Sequence, residues 1–119
     1  MSAQDTAREF FDAYSRALGS RDPKAIADHY AVPALIEFPE QAIAVSDAAQ
    51  TEQFFAAAVG QYEGVGDIGV SVAVVAEAHH SVWADVTWSY DGTPTERFIY
   101  QLVRTAGVWK IAVLTPLEV

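Results

Sequence analysis

From Ser81 to Thr115 apolar and polar residues alternate in three runs, SVWADVTWSYDG, TPTERFIYQLVR and TAGVWKIAVLT, which predict three long strands joined by tight turns. In the first run Ala84, Val86, Trp88 and Tyr90 stand against Asp85, Thr87 and Ser89, and Asp91-Gly92 is a hairpin dipeptide. In the second, Phe98, Tyr100 and Leu102 alternate with Arg97, Ile99, Gln101 and Val103, and alternation alone allows either set to face inward. Upstream the period becomes helical. Phe10, Phe11, Tyr14, Ala17 and Leu18 recur at helical spacing behind a Ser2/Asp5 cap until Gly19. Asp22-Pro23 opens a short second helix carrying Ile26, Ala27, His29 and Tyr30, which ends before Pro33. Ala34 to Phe38 and Gln41 to Val45 suit short strands. Ser46 or Asp47 caps a third helix with Phe54, Phe55, Ala58, Val59 and Tyr62, unwound by glycines from Gly60 onward. The run Gly69 to Ala78 has valines on both faces and predicts a strand covered on each side. Helices followed by antiparallel strands define an α+β fold.

A chain of 119 residues with 51% hydrophobic content fills one core, and one domain over residues 1–119 is the expectation. Sixteen acidic residues against seven basic ones leave a formal charge of −9, which repels a phosphate backbone and an anionic membrane. Nucleic acid and membrane are therefore not expected partners. With no cysteine and no asparagine, disulfides, thiolate metal sites and N-glycosylation are excluded. The polar start, MSAQDTAREF, is unlike a secretory leader, and no segment reaches the ~20 apolar residues that span a bilayer. A cytoplasmic location is the expectation. Neither a phosphate loop nor a Ser, His, Asp set stands in the chain, and adjacent His79 and His80 would point apart on a strand. No cofactor and no metal site are expected.

The opening EFFDAYSRALGSRDPKAIADHYA, the strand IEFPE, the capped helix at Ser46 and the closing RFIYQLVRTAGVWKI together resemble the nuclear transport factor 2-like superfamily and its SnoaL-like branch, across essentially the whole chain. The resemblance implies a cone-shaped α+β barrel: a curved, mostly antiparallel sheet wrapped around about three helices, with an apolar pocket inside. It also implies pairing of two copies through the outer sheet face. Phe98, Tyr100, Trp83 and the valines of 69–78 are expected to supply that face.

The superfamily includes ketosteroid isomerase, limonene epoxide hydrolase, scytalone dehydratase and polyketide cyclases, alongside members that only bind or scaffold. Against the isomerase, Tyr14 falls on the oxyanion-holding tyrosine and Tyr30 on the tyrosine that supports it. Phe38 falls where that enzyme has its proton-carrying carboxylate, and Gln101 where a carboxylic acid donates a second hydrogen bond. A phenyl ring accepts no proton, so isomerisation by that route is ruled out. Arg97 resembles the arginine of the epoxide hydrolase, but Ile99 stands where its carboxylate partner belongs. The implied pocket holds Tyr14, Tyr30, Phe38, Phe55, Val86, Trp88, Ile99, Gln101 and Leu114. Tyr14 and Gln101 are its donors and the rest its walls. The expected function is binding of a small, largely apolar molecule in the cone. The alternative is a lyase, isomerase or cyclase that pairs Tyr14 with Glu37 or His29, for which one of those two must face inward.

Overall fold

A computed structural model of the protein describes residues 2–62 and 64–119, the side chains of 61 and 62 apart. Helix α1 (Ala3–Ser20) begins at Ser2, whose hydroxyl accepts the Asp5 N–H at 3.1 Å. It runs past Gly19 and ends where Arg21 turns left-handed at φ 55°. The inner stripe Ala7, Phe11, Tyr14, Ala17 and Leu18 is buried. Helix α2 (Pro23–Ala27) is capped by Asp22. Helix α3 (Ala48–Ala58) opens on a capping box in which Asp47 and Gln50 satisfy each other's backbone N–H groups. A 3-10 turn, Val59–Tyr62, follows, and the Tyr62 side chain expected on this helix lies outside the described residues.

Six strands form one sheet in the order β2-β1-β6-β5-β4-β3: β1 (Tyr30–Phe38), β2 (Gln41–Val45), β3 (Ile68–Ala78), β4 (Ser81–Tyr90), β5 (Thr93–Thr105) and β6 (Val108–Leu117). Every pairing is antiparallel except β1 with β6. Both long hairpins turn on two residues of positive φ, Asp91-Gly92 and Ala106-Gly107. The Asp91 carboxylate also accepts the N–H groups of Gly66 and Asp67, each at 2.9 Å, which ties the entry to β3 to this turn. Register breaks at Val74/Ala76, Trp88/Ser89 and Gln101/Leu102 bend the strands, so the sheet curls around α1 and α3. The α+β cone expected from the chain is the fold found.

The sheet's inner face carries Val82, Ala84, Val86 and Trp88 from β4, Phe98, Tyr100 and Leu102 from β5, and Ile111 and Leu114 from β6, all buried. At the free edge of β3 the Gln4 amide acts as a surrogate strand: its nitrogen donates to the Val72 carbonyl at 2.8 Å and its oxygen accepts the Val74 N–H at 3.0 Å. An exposed edge is blunted there without another strand.

Three expectations are corrected. Tyr30 begins β1 instead of closing the second helix, because the chain leaves α2 at Asp28 and the His29 carbonyl accepts the Ile111 N–H at 2.8 Å. Pro33, which has no N–H to donate, sits where the β1–β6 ladder is interrupted between Tyr30 and Leu35. Strand β3 is covered on one face only: Val70, Val72 and Val74 pack on the core, whereas Ser71, Ala73 and Val75 are exposed. Phe98 and Tyr100 belong to the inner face, so they cannot furnish an outer one. The outer face of β4 and β5 instead centres on a two-pronged ion pair, Arg97 Nε to Asp85 Oδ1 at 2.9 Å and Nη2 to Oδ2 at 2.5 Å. The guanidinium's hydrogen bonds hold the Asp85 carboxyl below the usual carboxylate range.

Candidate functional site

Between α3 and the inner face of β1, β4, β5 and β6 lies a cavity of about 640 Å³, within the usual size for a small-molecule site. Its walls are largely aromatic. Phe38 stacks on Phe54 with centroids 5.5 Å apart, and Phe98 meets Phe38 edge-on at 5.7 Å. Trp88, Tyr100, Phe55, Leu18, Leu114 and Ala58 add to the apolar lining, and exposed Gln41, Gln50 and Gln53 rim the mouth with uncharged amides.

Hydrogen bonds organise the floor. The buried hydroxyls of Tyr14 and Tyr30 meet at 2.6 Å, joining α1 to the start of β1. Trp88 Nε1 donates to the Tyr100 hydroxyl at 3.0 Å, joining neighbouring strands beneath the cavity. One carboxylate enters the lining, beside Trp88. Glu96 lies opposite Trp88 in the β4–β5 register, two residues before inward Phe98, and accepts the Tyr90 hydroxyl at 3.2 Å. No basic side chain reaches it among the described residues.

Burial pushes the Glu96 carboxyl up from the ordinary glutamate range, and the Tyr90 hydrogen bond pulls it back in part. A raised value means the folded chain holds the proton more tightly than the unfolded one, so this contribution to stability is complete below the unfolded value and is lost as pH rises through the folded value. Glu96→Gln keeps the shape and the Tyr90 bond but never ionises. The variant is expected to match the native protein in acid and to exceed it in stability near neutral pH. Urea melts across this range check it, and a variant less stable at pH 7 than at pH 4 relative to native contradicts it.

The structure brings Tyr14, Phe38, Phe55, Trp88 and Leu114 to the cavity lining. Tyr30 stands behind them, bonded to Tyr14. Val86 points inward but is buried beside the cavity, not along it. Ile99 and Gln101 are misplaced by the expectation. They share parity with Arg97 and lie on the outer face, where Gln101 Nε2 donates to Ser81 Oγ at 2.9 Å. The bulkier apolar set Phe98, Tyr100 and Leu102 takes the inside because burying it removes more apolar surface from water. Tyr100 brings a hydroxyl to the lining in place of the amide donor expected from Gln101.

Neither proposed proton carrier joins Tyr14 in the cavity. Glu37 is exposed between inward Ile36 and Phe38. His29 packs against the Tyr14 ring at 5.4 Å, but its Nδ1 bonds the Ala25 carbonyl at 2.9 Å and it does not line the cavity. Sequence reasoning missed Glu96, Tyr90, Phe54 and the glutamines at the mouth. For Glu96 the signal was present: once Phe98, Tyr100 and Leu102 are placed inside, parity carries Glu96 in with them. Among the described residues no group of three or more His, Asp or Glu is arranged to hold a metal ion, and no helix is long and apolar enough to cross a membrane.

A curved sheet closing on helices over an apolar cavity is the architecture of cystatin-like, nuclear transport factor 2-like domains. Residues 3–119 match the family model described as NTF2-like protein (DUF6841), and the chain belongs to that family. An NTF-2 like protein of unknown function from Shewanella oneidensis MR-1 superposes with a TM-score of 0.74 at 14% identity, over 96% of this chain and 98% of that one. A domain of unknown function with a cystatin-like fold from Nostoc punctiforme gives 0.71 at 13% identity, over 100% and 79%. Yeast UBP3-associated protein BRE5 gives 0.70 at 16% identity, over 100% and 98%. At such identities the likeness is one of fold. None of the curated proteins matches the chain.

Proposed function

We propose that this NTF2-like protein binds a small, largely apolar molecule in the cavity between α3 and the sheet. The observation that carries the reading is the cavity itself: about 640 Å³ walled by aromatic and aliphatic side chains, with polar groups at Glu96, Tyr90, Tyr14 and Tyr100 inside and three glutamines at the mouth. Such a composition rewards burial of apolar surface and fixes orientation through a small number of hydrogen bonds. The lyase or isomerase reading loses its support, because Glu37 faces solvent and His29 lies off the cavity. Calorimetric titration with a neutral amphiphile, 4-phenylbutan-1-ol, tests it. Saturable binding of one molecule per chain is expected, and no heat beyond dilution overturns the proposal.

We also propose that two copies pair through the outer sheet face. Its support is now narrower than the chain suggested: half-buried Trp83, Ile99, Val103 and Val113 surround the Asp85–Arg97 pair on neighbouring strands. Light scattering at micromolar concentration is expected to give twice the 12.9 kDa chain mass, and a single-chain mass counts against pairing.

A further inference from the structure

We propose that the cavity takes its ligand as a protonated apolar amine, the ammonium seated between the Glu96 carboxylate and the rings of Trp88, Tyr90 and Phe98. This rests on the small-molecule reading above and narrows it to a chemical class.

Three observations carry it. Glu96 is the one carboxylate in the lining among the described residues, and it has no basic partner there. A half-buried carboxylate in aromatic surroundings has lost hydration that the single Tyr90 hydrogen bond at 3.2 Å does not replace. A cation arriving with the ligand supplies the missing countercharge, and a charge-assisted hydrogen bond is stronger than one between neutral groups. The aromatic rings add to this. Trp88, Tyr90 and Phe98 all line the same space, and a cation within about 6 Å of a ring centroid is drawn to its face. The third observation is negative: no lysine or arginine lines the cavity among the described residues, so an anionic ligand would meet Glu96 with nothing to offset it. The raised carboxyl agrees with this picture, since a neighbouring ammonium would draw it back toward its ordinary range.

The test titrates three probes of equal length and different charge, 4-phenylbutylamine, 4-phenylbutan-1-ol and 4-phenylbutyrate, by calorimetry at pH 7.5. The amine is expected to bind at least about tenfold more tightly than the alcohol, and the carboxylate more weakly than either. In Glu96→Gln the preference for the amine over the alcohol should disappear. Glu37→Gln makes the same charge change on the outside of β1 and should preserve the preference, which separates a local pair from attraction to a chain of net charge −9. If the alcohol binds and the amine binds no better, the amine inference falls and the cavity reading stands. If the preference survives in Glu96→Gln, the inference also falls. If none of the three binds, both are overturned.

Discussion

Phe11→Ala is expected to lower the unfolding free energy by about 3–5 kcal/mol, the largest loss from any single truncation argued for this chain. Phe11 is fully buried on the inner stripe of α1, at the point where that helix meets the sheet. Its ring lies 4.8 Å from Tyr100, 6.2 Å from Tyr14 and 6.4 Å from Trp88, measured between centroids. Alanine there removes a phenyl group from three aromatic neighbours that are themselves held by hydrogen bonds, Tyr14 to Tyr30 and Trp88 to Tyr100. Held side chains cannot relax into the void, so the cavity cost adds to the lost transfer free energy. Phe10 is the control. It is only half-buried beside Phe11, and its truncation should cost clearly less. Urea denaturation at fixed protein concentration measures both, and equal losses would mean that α1 does not pack by the stripe described.

The elements most legible in the sequence were those whose signal is local. Strands β4, β5 and β6 announce themselves by period-two alternation bounded by Asp91-Gly92 and Ala106-Gly107, and α3 by the Ser46-Asp47 cap ahead of its apolar residues. What failed was decided at a distance. Ile26, Ala27 and Tyr30 fit a helical spacing, yet Tyr30 becomes a strand residue because β6, some eighty residues later, offers it a parallel partner at Ile111. Local pattern carries no trace of that pairing.

The inward set of β5 shows a different limit. Alternation left two faces open, and resemblance to an enzyme with an acid at the Gln101 position favoured the wrong one. Side-chain size, read from the same residues, favoured the other, since Phe98, Tyr100 and Leu102 offer more apolar area than Arg97, Ile99, Gln101 and Val103. One change of parity removes Ile99 and Gln101 from the cavity and admits Glu96. The site's chemistry therefore turned on the register of a single strand, which is why its fold was read more securely than its function.

Ala58→Trp is expected to weaken binding of 4-phenylbutan-1-ol at least about thirtyfold, roughly 2 kcal/mol, while leaving the fold in place. Ala58 is the last residue of α3, partly buried, and lines the cavity. An indole built there occupies space that is empty in the native chain, so it competes with the ligand for the same aromatic walls without having to displace packed core. Its helix propensity is slightly poorer than alanine's, by less than about 0.7 kcal/mol, and burial against Phe54 and the cavity rings offsets that loss. Stability should thus change little. The companion variant Ala56→Trp places the same ring on the exposed side of α3, outside the lining, and should bind the alcohol as the native protein does. Calorimetry on both variants, with thermal melts to confirm folding, distinguishes occupancy of the cavity from adsorption to the surface. Native-like affinity in Ala58→Trp would place the binding site elsewhere on the molecule.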